Sequence, residues 1–270
     1  MSGDGPFAGH RARRRFSQNF LHDQVIIQRL VDAIRPRPGD AIVEIGPGQG
    51  ALTTALLARG VAVTAIELDR DLAAGLRQRF PELDLLEGDA LKTDFRALAA
   101  RLGASRLRLV GNLPYNISSP LIFHCLAHAE AVEDAHFMLQ DEVVQRLAAE
   151  PGSKAWGRLG VMVQRHCAVQ ALFPVPPSAF YPAPKVNSRI VRLTPQPRVE
   201  GELKDEKLFA ELVQAVFAQR RKTLRNTLKP YAERDELALK WDLSLRPEQL
   251  SLEKFIRLAN DLAALREAKA

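Results

Sequence analysis

The chain of 270 residues contains only two cysteines, Cys125 and Cys167, and each lies in an apolar segment. Two cysteines are too few for a disulfide framework, so we expect a buried thiol at each position. No apolar run approaches the roughly 20 residues that span a bilayer, and no segment resembles a signal peptide. These absences exclude a disulfide-rich secreted domain and a membrane-spanning protein, and they predict a cytoplasmic location.

Groups of histidines or cysteines at metal-ligand spacing are also scarce. His124 and His128 are four residues apart on a predicted helix, which is a possible spacing for two ligands, but no third ligand accompanies them. We therefore expect no metal ion and interpret both residues as helix-surface or hydrogen-bonded core histidines. The sequence contains no internal repeat and no low-complexity segment.

Positive charge is in excess, with a formal net charge of +6 and a sequence pI near 9.5. Residues 220–229 hold five basic residues and no acidic one, and a second cluster lies near the amino terminus. Clusters of this size are typical of a groove for a polyanion such as nucleic acid, although solvated charge runs are the alternative. The candidate RNA-binding residues are Arg11, Arg13, Arg14, Arg15, Arg220, Arg221, Lys222 and Arg225.

A glycine-rich turn at residues 46–50 separates a predicted strand, residues 41–45, from a predicted helix, residues 51–58. Strand, glycine turn and helix is the arrangement in which backbone approaches a ligand closely. The next predicted strand, residues 61–66, ends at Glu67, where a carboxylate can accept from both ribose hydroxyls of a nucleoside. The Gly-x-Gly-x-x-Gly fingerprint of dinucleotide sites is absent, which disfavours NAD.

Two further strands end in polar residues. The strand predicted at residues 83–88 delivers Asp89, which either accepts from an adenine amino group or caps a helix. The strand at 107–111 delivers Asn112-Leu113-Pro114-Tyr115. Because open α/β sheets bind ligands at the carboxyl ends of their strands, we expect Glu67, Asp89 and Asn112 to lie in a row.

The tetrapeptide beginning at Asn112 suits an aromatic amine. The exocyclic nitrogen of adenine shares its lone pair with the ring, so it is planar and a poor nucleophile. The Asn112 side-chain oxygen and the Leu113 carbonyl offer two acceptors that would bias it toward tetrahedral geometry, and Tyr115 offers a flat face for the ring. An ordinary turn with a half-buried tyrosine is the alternative.

The proline-rich stretch 174–184 is predicted to be a stiffened loop that presents Phe180 with little freedom. Phe180 would close on a base from the face opposite Tyr115, or else it packs the loop down. Strands are also predicted at 135–139, 167–172 and 188–193, with helices at 23–34, 141–149 and 159–165. Beyond a linker at 194–197 the pattern is helical, and one helix is predicted to end in the basic segment 220–229.

In combination and in order, these motifs resemble the small-subunit ribosomal RNA adenine N6-dimethyltransferase family, of the bacterial KsgA type. The resemblance runs from about residue 10 to 260. Two departures occur: Ser17 stands where the family usually has glycine, and Trp156 replaces a tyrosine. The matching stretches are 14–21, 43–53, 66–69, 88–90, 111–118, 176–180, 184–186 and 217–226.

The resemblance implies an α/β fold: a Rossmann-like, seven-stranded S-adenosylmethionine-dependent methyltransferase domain at 16–195, after a basic tail at 1–15. A small all-α RNA-binding domain would follow at 200–270. It implies dimethylation of N6 on two adjacent adenosines in a loop near the 3′ end of 16S rRNA. We expect the protein to act on an immature 30S subunit as a monomer, which is the default for an enzyme that docks on a ribosomal particle. The implied cofactor-binding residues are Asn19, Leu21, Gly46, Glu67, Asp89 and Asn112, and the implied target-base residues are Asn112, Leu113, Pro114, Tyr115 and Phe180.

Three other functions are weighed against this one. The large-subunit rRNA methyltransferases of macrolide resistance share the cofactor core, but the basic run at 217–222 disfavours them. A DNA or protein amide methyltransferase would share the Asn-Leu-Pro-Tyr stretch without the basic carboxyl-terminal segment. A non-catalytic RNA-binding assembly factor would bind immature subunits without methyl transfer.

Overall fold

The computed structural model describes residues 19–196, 203–231 and 233–268. Within these ranges the chain divides into two compact units. Unit 1 takes the residues up to Val144 together with Val169–Pro195, and unit 2 takes Gln145–Ala168 together with the residues from Gln196 onward. The sequence predicts a single division at 195–200. The structure differs from this prediction, because Gln145–Ala168 belongs to the same unit as the carboxyl-terminal part of the chain.

The described ranges contain nine strands, and their order in the sheets places the carboxyl ends of the parallel strands at one edge. Seven of them form a sheet with the order β4-β3-β2-β5-β6-β9-β7, and β1 pairs with β8 in a separate two-stranded ribbon. Pairing is parallel from β4 to β6, and β9 runs antiparallel to β6. The strands are β1 (Phe20–Leu21), β2 (Ile42–Ile45), β3 (Val63–Glu67), β4 (Asp84–Glu87), β5 (Leu107–Asn112), β6 (Val132–Gln140), β7 (Cys167–Val175), β8 (Phe180–Tyr181) and β9 (Ser188–Pro195).

Helices connect the parallel strands, so the central strands are buried on both faces, and β2 and β3 are buried along their whole length. The Asp23 side chain accepts from the Val25 and Ile26 amides and so caps the first helix. The helices are α1 (Gln24–Ile34), α2 (Ala51–Leu57), α3 (Arg70–Arg79), α4 (Phe95–Arg101), α5 (Ser118–Ala127), α6 (Asp141–Leu147), α7 (Arg158–Gln164), α8 (Glu206–Ala218), α9 (Leu224–Thr227), α10 (Arg234–Leu237) and α11 (Leu252–Glu267).

The predicted helices and strands of unit 1 are confirmed to within a few residues at each end. Strand β5 ends beside β2, because Gly111 lets the two backbones approach. A Cβ at Gly111 would lie 2.4 Å from the Ile45 carbonyl oxygen. This close packing brings Asn112 next to the glycine turn that follows β2.

Unit 2 has its own apolar core, formed mainly by α8 and α11 with residues of the 145–168 segment. Trp156 is fully buried, and its indole Nε1 donates to the Leu250 carbonyl at 2.9 Å. The prediction that a helix ends in the basic segment 220–229 is wrong. Helix α8 already ends at Ala218, and the basic segment occupies a turn and the separate one-turn helix α9.

Candidate active site

A cavity opens at the carboxyl edge of the sheet in unit 1. Four neighbouring strands contribute to its wall: Gly46 follows β2, Glu67 ends β3, Asp89 follows β4, and Asn112 ends β5. The expected row of polar residues therefore exists. Of the predicted cofactor-binding and target-base residues, all but one line this cavity: Asn19, Leu21, Gly46, Glu67, Asp89, Asn112, Leu113, Pro114 and Tyr115.

The glycine turn presents bare backbone to the cavity. Gly46 has a φ of +67°, a conformation that favours glycine, and no atom lies within 4 Å of the position that a Cβ would take. The Glu67 carboxylate holds the turn in place, because Oε2 accepts from the Gly48 amide at 3.1 Å. Its Oε1 accepts from the Asp69 amide at 2.9 Å. Burial raises the pKa of Glu67, although these backbone hydrogen bonds oppose the rise.

The structure shows the helix-capping role considered for Asp89. Its Oδ1 accepts from the Leu91 amide at 3.0 Å and caps a short 3₁₀ helix, Ala90–Lys92, while the residue also lines the cavity. A carboxylate has several acceptor positions, so capping leaves capacity for a ligand.

The side-chain amide of Asn112 is oriented by Asn19, the residue that precedes β1. Its Nδ2 donates to the Asn19 carbonyl at 2.8 Å. The Oδ1 atom accepts no hydrogen bond from any residue in the described ranges, and Asn112 lines the cavity. The Leu113 amide donates to the Met138 carbonyl at 3.3 Å, which anchors the next peptide. The Asn112 Nδ2 is thus hydrogen-bonded within the protein, and the Asn112 Oδ1 remains as an acceptor at the cavity.

Tyr115 is held by a residue that the sequence did not identify. Its hydroxyl lies 2.8 Å from the Ser188 Oγ, and Ser188, at the start of β9, is fully buried. Burial raises the pKa of Tyr115. A lone serine on the inward side of an apolar strand was the only sequence signal for this contact. Ser188 fixes the position of the Tyr115 ring.

Phe180 is the exception among the predicted residues. It does not belong to the described cavity lining, and only 3% of it is exposed. It packs in the core of unit 1, and its backbone pairs with Leu21 in the two-stranded ribbon. The structure therefore shows the alternative considered above, in which Phe180 packs its loop down.

Glu44 is a second functional candidate that sequence reasoning missed. It lies on β2, lines the cavity and is only 2% exposed. Its Oε2 accepts from the Thr53 hydroxyl at 2.6 Å. Burial raises the pKa of Glu44 to about 7, the hydrogen bond from Thr53 opposes this, and the charge of Glu67 adds to it. Among the described residues, the cavity is lined by four carboxylic side chains and by no lysine, arginine or histidine.

The predicted RNA-binding residues divide into three groups. Arg11, Arg13, Arg14 and Arg15 lie outside the described residues. Arg221, Lys222 and Arg225 are exposed in unit 2. Arg220 is engaged within unit 2, since its Nε donates to Glu248 at 2.9 Å and its guanidinium also reaches the carbonyls of Ser153 and Lys154.

Across the described ranges, no helix is long and apolar enough to cross a membrane. The same ranges contain no group of three or more histidine, cysteine, aspartate or glutamate side chains that could hold a metal ion. His124 instead places its Nε2 2.7 Å from the Thr93 carbonyl oxygen.

Known proteins match both the sequence and the fold. Residues 9–263 match the model of the family described as ribosomal RNA adenine dimethylase. A protein of Pseudomonas aeruginosa named ribosomal RNA small subunit methyltransferase A is 55% identical over 260 residues, which cover 95% of this chain and 96% of that protein. A protein of the same name from Hahella chejuensis is 54% identical over 256 residues and 93% of each chain.

Two solved structures share the architecture. A dimethyladenosine transferase of Plasmodium falciparum superposes with a TM-score of 0.74 at 26% identity, over 91% of this chain and 98% of that one. The 23S rRNA methyltransferase ErmE superposes with a TM-score of 0.69 at 27% identity, over 91% of this chain and all of that one. The match to the family model spans nearly the whole chain, and with it the glycine turn and the Asn-Leu-Pro-Tyr stretch. The chain belongs to the ribosomal RNA adenine dimethylase family.

Proposed function

We propose that this chain transfers methyl groups from S-adenosylmethionine to N6 of two adjacent adenosines in a loop near the 3′ end of small-subunit (16S) rRNA. Each adenosine receives two methyl groups. The observation that carries the proposal is the single cavity that joins the glycine turn and Glu67 to the acceptor groups of Asn112 and Leu113. The names of the curated relatives support the small subunit as the substrate.

The residues present fit S-adenosylmethionine. The open space beside Gly46 lets backbone approach a ligand, and a side chain there would fill it. The acidic lining suits a ligand that carries an excess positive charge. We assign Glu67 to the ribose, Asp89 to the adenine of the cofactor, and Asn19 and Leu21 to its cover. When bound, the cofactor supplies a methyl group already activated on a sulfonium, so no metal is required.

The protein then has to place the acceptor nitrogen. The Asn112 Oδ1 and the Leu113 carbonyl accept from the adenine amino group and draw its lone pair out of conjugation. The Tyr115 ring, fixed through Ser188, stacks on the base. Each transfer would form one N–C bond and break the S–C bond of the bound sulfonium, which would leave as a neutral thioether, while N6 would release one proton to solvent. Position and orientation therefore account for most of the rate enhancement.

RNA enters this scheme as an unpaired loop, because a base within a duplex cannot reach a pocket at a strand end. We assign the exposed Arg221, Lys222 and Arg225 to phosphate contacts, together with the arginines at 11–15. We assign methyl transfer to the domain at 16–195, and RNA binding to the tail at 1–15 and to the domain at 200–270. The segment 145–168 groups with the RNA-binding domain. The protein acts as a cytoplasmic monomer on immature 30S subunits.

The decisive experiment incubates the protein with methyl-labelled cofactor and under-modified small subunits, followed by nuclease digestion and nucleoside analysis. We expect all label in N6,N6-dimethyladenosine at two adjacent positions near the 3′ end of 16S rRNA. A Gln28→Ala variant, altered on the exposed face of α1, serves as the control and should behave as the parent. Label in large-subunit RNA, in cytosine or guanine, or in protein would contradict the proposal. Binding to subunits without methyl transfer would indicate an assembly factor.

A further inference from the structure

We propose that Arg79 is a positioning residue for the cofactor, because it holds the glycine turn at residues 46–50 in the shape that binds S-adenosylmethionine. The inference deepens the proposed function and rests on it. Arg79 is the last residue of α3, it is exposed, and it is not among the described residues that line the cavity. An effect of its hydrogen bonds on the cofactor therefore passes through the turn.

The Arg79 guanidinium joins the end of α3 to the glycine turn and to the helix that follows it. Its Nη1 donates to the Gln49 carbonyl at 3.0 Å, and Gln49 lines the cavity. Its Nη2 donates to the Thr54 hydroxyl at 3.3 Å, and that hydroxyl donates to the Gly50 carbonyl at 2.7 Å. One side chain thus fixes two successive carbonyl groups of the turn, the first directly and the second through Thr54.

Phe80 holds the guanidinium in this place and also packs against the turn. The Arg79 Cζ lies 4.9 Å from the centroid of the Phe80 ring, within the range of a cation–π interaction. A Cβ at Gly50 would lie 2.8 Å from the Phe80 Cε2 and 3.1 Å from the Leu76 Cδ2, so the backbone of the turn touches α3 closely. The end of α3 therefore supports the turn by packing as well as by hydrogen bonds.

Strand β3 and the helix α3 that follows it contact the turn at two points. Glu67, at the end of β3, accepts from the Gly48 amide at 3.1 Å, and Arg79, at the end of α3, donates to the Gln49 carbonyl. A glycine-rich turn has many accessible conformations when nothing holds it, and ordering it on binding costs free energy. Contacts that hold the turn in its bound shape therefore raise the affinity for the ligand.

The charge of Arg79 and its hydrogen bonds predict different effects on the two ligands of the reaction. S-adenosylmethionine carries a net positive charge and S-adenosylhomocysteine does not. Removal of a nearby cation would by itself raise the affinity for the first and leave the second unchanged. Loss of the shape of the turn would instead lower both affinities by nearly the same factor, because the two ligands contain the same nucleoside. The hydrogen bonds are exposed to water, which limits this factor to roughly threefold to tenfold.

Calorimetric titration with S-adenosylmethionine and with S-adenosylhomocysteine tests the proposal in Arg79→Met, which removes the donors and keeps an unbranched side chain beside Phe80. We expect both dissociation constants to rise roughly threefold to tenfold. The control Arg59→Met removes another exposed arginine, which pairs with Asp32 of α1 at 2.7 Å, and should match the parent. Affinities in Arg79→Met equal to those of the parent, or a change for S-adenosylmethionine alone, would overturn the proposal.

Steady-state methylation of under-modified small subunits separates positioning from other roles of Arg79. In Arg79→Met the KM for S-adenosylmethionine should rise by the same factor, while kcat and the KM for subunits keep their parent values, because the turn binds the cofactor equally in the ground state and the transition state. Normal cofactor affinity with a raised KM for subunits would indicate a phosphate contact, and normal cofactor affinity with a lower urea midpoint would indicate a role in helix stability alone. Either result would overturn the proposal. Failure of the parent to bind S-adenosylmethionine at all would overturn the proposed function as well, so the two failures are distinguishable.

Discussion

The hydrogen bond between Tyr115 and Ser188 offers a direct test of how this site positions a base. The two oxygens lie 2.8 Å apart, and Ser188 is fully buried on β9. Tyr115→Phe removes the hydroxyl and keeps the aromatic face. Ser188→Ala removes the partner and keeps Tyr115. If the bond serves to hold the ring, each change should damage the same step of the reaction.

The expected size follows from the environment of the bond. A buried neutral hydrogen bond contributes roughly 0.5–1.5 kcal/mol net, and an unpaired hydroxyl left behind costs about 1–3 kcal/mol. If most of this free energy is lost in the transition state, the rate of methyl transfer should fall about tenfold in each variant. The affinity for S-adenosylmethionine should not change, because neither group was assigned to the cofactor.

A double-mutant cycle measures the coupling. Single-turnover methylation of under-modified subunits is compared for the parent, both single variants and the double variant, with the exposed Ser105→Ala as a control. We expect the double variant to be about as slow as either single one, because the second change removes a bond already lost. Losses that multiply, or a loss confined to thermal stability with normal turnover, would refute the positioning role of Ser188.

Four further outcomes are expected. Asn112→Ala should reduce turnover by about 10² or more with nearly unchanged subunit affinity, and normal turnover would contradict its role as acceptor. Gly46→Ala, which strains the backbone and fills the cavity, should weaken cofactor binding about tenfold or more in calorimetry. Glu44→Gln should stabilise the apoprotein against urea at pH 8 by roughly 3 kcal/mol and by much less at pH 5. Replacing Arg221 and Lys222 by glutamine should raise KM for subunits and reduce the salt dependence of binding.

The effect of Glu44→Gln on the free energy of unfolding depends on pH through proton linkage. The pKa of Glu44 is raised from 4.5 to about 7 by burial, so the folded protein holds a proton that the unfolded chain has lost. The stability that comes from this proton is fully present below pH 4.5 and is lost as the pH rises through 7. Glutamine removes this pH dependence. Equal effects of the substitution at pH 5 and pH 8 would show that Glu44 titrates normally.

Much of unit 1 could be predicted because its signals are local. Runs of apolar residues, a glycine turn and capping residues specify β2, β3, β5 and their helices from neighbouring positions alone. The row formed by Glu67, Asp89 and Asn112 followed from one further rule, that parallel strands end at the same edge of a sheet.

The features that the sequence did not reveal depend on contacts between distant segments. The ribbon pairs Leu21 with Phe180 across about 160 residues of chain, and two-residue strands have no periodicity to detect. This pairing buries Phe180. The segment 145–168 joins unit 2 through contacts such as that of Trp156 with Leu250, which no local pattern encodes. The charge state of Glu44 likewise depends mainly on its burial in the folded chain, which no local pattern encodes.

One of these distant contacts links a residue that we assign to the cofactor with a residue that we assign to the target base. Strand β1 and the residue before it contribute Leu21 and Asn19 to the cavity, and the Asn19 carbonyl also accepts from the Asn112 Nδ2. The oxygen and nitrogen ends of a side-chain amide are nearly isosteric. Without the Asn19 carbonyl as acceptor, the Asn112 side chain could present either end to an adenine amino group. The segment that we assign to the cover of the cofactor therefore also orients the Asn112 side chain, which we assign to the target base. If these assignments hold, we expect cofactor binding and base orientation to be coupled through Asn19.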